Sequence, residues 1–200
     1  MTFLPRFGAV CGALSGLAIA VPGAIEAFTG EIAPTSVVLG LSPALAAPLV
    51  TALFLTQRTD RFARLAYAVE MIGLGLFGAA AFALNVVVFF ASGDVLTGPS
   101  RLVLSASALT FVVGTVLFAI ALHRAGAHPR VPVWSFGIAL PVFTLAARLP
   151  DTPLTSGLHV VVGATLVWLA TSAYAKAATS STGTAARNAS AVTVPASSES

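Results

Sequence analysis

Long apolar runs dominate the chain, and short polar stretches separate them. A helix needs roughly 20 apolar residues to cross about 30 Å of hydrocarbon. Six segments fit this template, namely 7–28, 36–56, 66–91, 102–122, 131–147 and 156–174. They lack the strict in-and-out alternation over about ten residues that marks a transmembrane strand. The pattern therefore predicts an all-α, polytopic membrane protein with six transmembrane helices.

The basic residues predict how this bundle is oriented. Lys and Arg accumulate in the cytoplasmic loops of membrane proteins. With the N-terminus inside, Arg101 and Arg148 fall outside, and eight basic residues fall inside: Arg6, Arg58, Arg61, Arg64, Arg124, Arg130, Lys176 and Arg187. We therefore expect both termini to be cytoplasmic, in a cell membrane of the bacterial type.

Two alternatives to this topology stay open. The first span carries Ala18, Ile19 and Ala20, which resemble the small-residue cleavage site of a signal peptide. Its length of 22 residues exceeds the usual apolar length of a signal peptide, about 7 to 15, which favours an uncleaved helix. The fifth span, 131–147, is short and contains a proline, so its full crossing is the other open point.

The domain organisation follows from the same pattern. Residues 1–175 form the predicted transmembrane domain, and nearly everything between the spans is short loop. Residues 176–200 are rich in Ser, Thr and Ala and lack the bulky apolar residues that bury a core. They predict a disordered cytoplasmic tail.

Composition narrows the class of protein further. The chain is 57% apolar and 8% charged, against roughly 25% charged residues in a soluble domain. Its net charge of +3 comes without a basic run or stripe that would neutralise successive phosphates, so no nucleic-acid partner is expected. A single cysteine, Cys11, excludes an internal disulfide framework.

A glycine stripe predicts how the first helix packs. Gly8, Gly12 and Gly16 recur every four residues, and small residues at this spacing let membrane helices approach closely. The partner is either another span of the chain or a second protein. A homo- or hetero-oligomer through the first helix is therefore possible, besides contact with the lipid bilayer.

Three prolines predict kinks near the middle of two helices. Pro43 and Pro48 lie in the second span and Pro141 lies in the fifth. Each proline frees the backbone carbonyl four residues earlier, and Ser42 is placed to satisfy one locally. Spans two and five are counterparts in two three-helix halves, and interrupted helices at matching positions are typical of transporter binding sites.

Polar residues supply the candidate sites. Glu26, Arg148 and His159 form an outer polar cluster, which predicts a shallow binding pocket on the extracytoplasmic side. Glu70 lies about one turn into the third span, near Arg61 and Arg64. An interfacial ion pair is the expected role of Glu70, and a proton-handling carboxyl group is the alternative.

The sequence predicts no enzyme. It contains no nucleophile elbow, no phosphate-binding glycine loop and no His, Cys or carboxylate spacing that resembles a metal site. We therefore expect no catalytic residue, no metal and no cofactor.

Two functions remain. The expected one is a non-enzymatic interaction or scaffold subunit of a membrane assembly. The alternative is a small-molecule carrier or channel, with a site near the kinked second and fifth helices or at the outer polar cluster. A carrier predicts a cavity that reaches Pro43 and Pro141, whereas a scaffold predicts that this region is packed shut.

Overall fold

Six long α-helices make up the computed structural model, which describes residues 3–90, 98–146 and 153–192. The helices are α1 (Phe3–Thr29), α2 (Ala33–Leu55), α3 (Arg61–Phe82), α4 (Pro99–Ala125), α5 (Arg130–Ala146) and α6 (Pro153–Val192). A π-helical segment, Ala83–Val88, continues α3 directly. These residues contain no β-strand, so the prediction of an all-helical fold is confirmed.

Five helices are long and apolar enough to cross a membrane: α1, α2, α3 with its π-helical extension, α4 and α6. The fifth helix, α5, is apolar but has only 17 residues. Large apolar side chains cover the outside of the bundle, and Phe28 and Phe3 are 92% and 77% exposed. Ser15 and Glu70 are meanwhile completely buried. This distribution is the reverse of that in a soluble protein and supports the prediction of a membrane protein.

The helices form a closed ring in chain order. Each helix packs against the next, and α6 returns to pack against α1. The contacts run in opposite directions along neighbouring helices: Gly8 meets Ala52 and Gly12 meets Leu49 on α2, whereas on α6 Gly16 meets Val167 and Gly23 meets His159. Neighbouring helices are therefore antiparallel, as short connections require.

Local sequence explains several helix ends. The side chain of Asp60 caps α3 by accepting a hydrogen bond from the backbone N–H of Ala63 at 2.7 Å. Pro99 occupies the first turn of α4, where its missing N–H is not needed. Gly126 ends α4 with φ +61°, a left-handed conformation that favours glycine.

The glycine stripe of α1 lies inside the bundle. Gly8 faces the backbone carbonyl of Pro48 on α2, and a Cβ on Gly12 would lie 2.6 Å from a methyl of Leu49. A Cβ on Gly16 would lie 2.5 Å from the carbonyl oxygen of Gly163 on α6. The three glycines therefore allow α1 to approach two other helices of the same chain.

The prolines of α2 and α5 lie within helices that continue through them. Ser42 Oγ donates to the carbonyl of Leu39, which Pro43 leaves without its helical donor, at 2.8 Å. This is the local bond that the sequence predicts for Ser42. Ser15 Oγ in turn donates to the carbonyl of Ser42 at 2.8 Å. The kinks at Pro43, Pro48 and Pro141 stay a prediction.

The last helix extends into the segment for which the sequence predicts a disordered tail. It runs to Val192, and Ala177 is only 3% exposed. Alanine has the highest intrinsic helix propensity, so an alanine-rich segment can prolong a helix without burying bulky side chains. Residues 193–200 lie outside the described part of the chain.

Candidate binding cavity

A cavity of about 930 Å³ lies in the middle of the helical ring. Every helix contributes to its lining, for example Ser15 from α1, Pro43 from α2, Phe77 from α3, Leu104 from α4 and Thr144 from α5. Leu158 and Leu166 line it from α6.

The cavity reaches one end of the bundle, where Glu26, Glu31, Arg101 and His159 line it. We call this end the cavity end. The opposite end, which carries Arg58, Arg61, Arg64, Arg124 and Arg130, is the basic end. Glu31 and Arg101 are exposed, so the lining extends to the surface of the bundle.

The half of the bundle towards the basic end is packed shut. Leu53, Leu122 and Leu169 are completely buried there. Phe118, also completely buried, has its ring centroid 6.3 Å from that of Tyr67 and 6.4 Å from that of Phe136. These side chains from five helices fill the space that the cavity occupies in the other half.

Polar groups concentrate at the cavity end. The Nδ1 atom of His159 donates to the carbonyl of Thr155 at 2.8 Å, and its ring contacts Phe143 edge to face at 4.7 Å. Glu31 accepts a hydrogen bond from Ser36 Oγ at 2.8 Å. The bond at Nδ1 directs Nε2 of His159 to other partners, as acceptor in the neutral ring and as donor in the charged one.

The structure brings together two residues of the predicted outer polar cluster. Glu26 and His159 line the same cavity, and Gly23, one turn before Glu26, packs directly against the side chain of His159. Arg148 lies outside the described residues. The three-residue pocket therefore stays a prediction, and the cavity itself is much deeper than the shallow site expected.

Aromatic and amide side chains line the walls. Phe77 of α3 stacks on Phe111 of α4 with centroids 4.5 Å apart. Asn85 lies in the π-helical segment and donates to the carbonyl of Ala81 at 2.9 Å. A Cβ added to Gly40 of α2 would lie 3.3 Å from the Cβ of Asn85. π-Helical turns occur frequently at functional sites, and this one borders the cavity.

The cavity also lies near the prolines. Pro43 and Ser42 line it, and so do Leu140 and Thr144, which flank Pro141. Pro141 itself is buried and does not line it. The cavity therefore extends to Pro43 on α2 and to the residues beside Pro141 on α5.

Glu70 is enclosed rather than interfacial. Its side chain is completely buried, and Thr115 Oγ1 of α4 donates to its Oε2 at 3.1 Å. Arg61 and Arg64 are exposed, so the structure differs from the ion pair that the sequence predicts. A Cβ on Gly114 would lie 2.7 Å from the Cα of Glu70, which shows how closely the glycine lets α4 cover it. The sequence alone does not indicate this close approach, because it depends on the packing of α3 against α4.

His128 joins three segments at the basic end. It follows α4, is 6% exposed, and its Nε2 lies 3.2 Å from Thr56 Oγ1 at the end of α2. Its Nδ1 lies 2.9 Å from Ser172 Oγ of α6. The pKa of His128 is lowered to about 4. Burial is the main cause, and the positive charge of Lys176 contributes to the lowering.

This buried histidine predicts a pH-dependent stability. Below about pH 6.5 an unfolded chain binds a proton at His128, whereas the folded chain resists protonation down to about pH 4. The free energy of unfolding should therefore fall as pH drops through this window. From about pH 7 to about pH 5, we expect the wild type to lose about 2 kcal/mol more than His128→Gln. Denaturant unfolding in detergent measures this loss, and equal losses would contradict the prediction.

The described residues contain no group of three His, Cys, Asp or Glu side chains that could hold a metal ion. What they define is a ring of apolar helices with an internal cavity, in the class of helical membrane bundles. No family model, no curated protein and no solved structure matches the chain.

Proposed function

We propose that this chain is a membrane carrier for a small molecule and that the cavity is its binding site. The observation that supports this most is a volume of about 930 Å³ lined by all six helices, since ligand sites typically measure about 300–1,000 Å³. Among the described residues the cavity reaches one end only, and the other half is packed. A site open to one side is one state of an alternating-access cycle.

The proposed topology has six spans and both termini in the cytoplasm of a bacterial-type cell. The basic end would then face the cytoplasm, as the distribution of Lys and Arg favours, and the cavity end would face outwards. The short α5 crosses as the fifth span in this topology. A reporter that is active only outside the cytoplasm should stay silent when fused after Tyr174, and activity there would contradict six spans.

The lining favours a ligand with an apolar body and a positively charged head. Apolar and aromatic side chains such as Phe77, Phe111 and Phe143 form most of the described wall, and aromatic faces attract cations. At the cavity end, Glu26 and Glu31 are two carboxylates beside a single guanidinium, that of Arg101, among the described lining residues. We infer a lipophilic cation as the class of ligand.

The interaction or scaffold subunit that the sequence favours stays a prediction. One of its supports is the glycine stripe, which could serve as a face for another protein. Gly8, Gly12 and Gly16 instead pack against α2 and α6 of the same chain, and a scaffold does not require a cavity. We therefore prefer the carrier.

Binding of tetraphenylphosphonium to the full chain in lipid nanodiscs tests the proposal. This probe is a lipophilic cation. A control measurement on nanodiscs without protein corrects for its partition into lipid. We expect saturable binding to the protein, and at least about tenfold weaker binding of the anion tetraphenylborate, which the carboxylates repel. Absence of saturable binding would contradict the carrier and leave the scaffold.

A further inference from the structure

Glu70 carries the only carboxyl group that is completely buried among the described residues. One of its oxygens, Oε2, accepts the hydrogen bond from Thr115. The other, Oε1, has no hydrogen-bond partner in the described part of the chain. An ionised carboxylate that is buried with acceptor sites unfilled is costly, and a proton on the group removes that cost.

Glu70 and its partner Thr115 each lie one helical turn from a residue that lines the cavity, and we call these two lining residues, Leu74 and Phe111, the floor. Leu74, one turn further along α3, and Phe111, one turn before Thr115 on α4, both line the cavity. They are 5% and 3% exposed. One helical turn corresponds to about 5.4 Å along the axis. The carboxyl group therefore lies about one turn from residues that line the cavity, and a rotation of Phe111 and Leu74 would give water a path to it.

Close helix packing holds the site in place. A Cβ on Gly73 would lie 2.6 Å from the Cα of Phe111, and one on Gly114 would lie 2.9 Å from Oε2 of Glu70 itself. The two glycines bring α3 and α4 together on either side of the carboxyl group. A larger residue at position 114 would fill the space that Glu70 occupies.

In the described part of the chain, no charged side chain on a helix packed against α3 forms an ion pair with Glu70. The titratable residues of α3 and of its neighbours α2, α4 and the π-helical segment are Arg61, Arg64, Tyr67, Arg101, His123 and Arg124. Arg61 and Arg64 are exposed, and the Tyr67 hydroxyl lies 3.1 Å from Thr51 Oγ1. Arg124 lies 3.8 Å from Asp60. Arg101 and His123 are each at least two turns from Thr115 along α4.

We propose that Glu70 is a proton-binding site that exchanges its proton with water in the cavity and thereby couples proton movement to the carrier. Opening of the floor hydrates the acid, which transfers its proton to a cavity water and leaves a carboxylate and a hydronium ion. The reverse transfer reloads it. The coupling rests on the proposed function, because a cationic ligand in the cavity would favour the carboxylate and release the proton.

Infrared spectroscopy tests the proton site without any ligand. The full chain in nanodiscs is titrated from about pH 5 to about pH 9, and the carbonyl stretch of a protonated carboxylic acid is followed. We expect a band that titrates in the wild type and is absent in Glu70→Gln. Thr115→Val should keep the band but shift its frequency, because the hydrogen bond to the carboxyl group is lost.

Asp60→Asn is the matched control for this measurement. Asp60 is a carboxylate of the basic end whose side chain caps α3, and asparagine caps helices equally well. This variant should keep the band. A band that survives in Glu70→Gln, or one that never titrates, would overturn the proton site.

Proton release on binding of tetraphenylphosphonium tests the coupling. A pH indicator in weakly buffered nanodiscs should report release by the wild type. It should report at least about tenfold less release by Glu70→Gln, with the probe still bound. Equal release by both proteins would overturn the coupling. Failure of the wild type to bind the probe would instead contradict the carrier, and the infrared titration would still decide whether Glu70 binds a proton.

Discussion

Ala108→Trp should weaken binding of tetraphenylphosphonium by at least about tenfold, because an indole ring at this position would occupy the cavity. Ala108 lies on α4 and lines the cavity between Leu104 and Phe111. The methyl group of alanine leaves the space open, and the far larger indole points into it from the same backbone position. Saturation binding in nanodiscs measures the loss.

Ala106→Trp provides the matched control for this substitution. Ala106 is two residues earlier on the same helix, is exposed and does not line the cavity. The same indole there should contact lipid, which tolerates aromatic side chains, and binding should stay within about twofold of the wild type. Equal losses in the two variants would show that the probe binds elsewhere.

Phe118→Ala should destabilise the protein by about 3–5 kcal/mol, the usual loss when a buried phenylalanine becomes alanine. Phe118 is completely buried in the half of the bundle towards the basic end, and its ring contacts those of Tyr67 and Phe136. Alanine would leave a void there, because three helices cannot all move inwards to fill it. Denaturant unfolding in mixed micelles, followed by circular dichroism, measures the change.

Phe28→Ala is the control that separates packing from loss of an aromatic ring. Phe28 is 92% exposed near the end of α1, so its removal leaves no internal void. We expect a change within about 0.5 kcal/mol. An equal loss in the free energy of unfolding for both variants would contradict the dense core that the structure shows towards the basic end.

Most of the fold follows from the apolar runs, because their length alone predicts where helices lie. The bond from Ser42 to Leu39 is also predictable, since a proline frees a carbonyl at a fixed distance along the chain. Past Tyr174 the helix continues to Val192, in the segment for which the sequence predicts disorder, and the disorder of residues 176–200 stays a prediction. In an alanine-rich segment, helix propensity favours a helix, whereas the lack of bulky apolar residues favours disorder. The structure is helical as far as Val192.

The candidate site was predictable only at its entrance. Glu26 and His159 stand out because charged and polar residues are rare in this chain, so their position near helix ends is visible in the sequence. The cavity depends on small side chains of different helices, such as Ala81 and Ala108, that face one another only after packing. The burial of Glu70 likewise depends on Gly114, which lies 44 positions away along the chain. No local pattern relates such distant positions.

The order of helices around the ring has a consequence for biogenesis. Because α6 packs against α1, the wall of the cavity is complete only when the last helix has entered the membrane. Until then, Gly16 and Gly23 on α1 have no partner from α6, and this face of α1 borders lipid or the insertion machinery. A ribosome that stalls before α6 would leave an unsealed five-helix arc, which membrane quality control can distinguish from the finished protein.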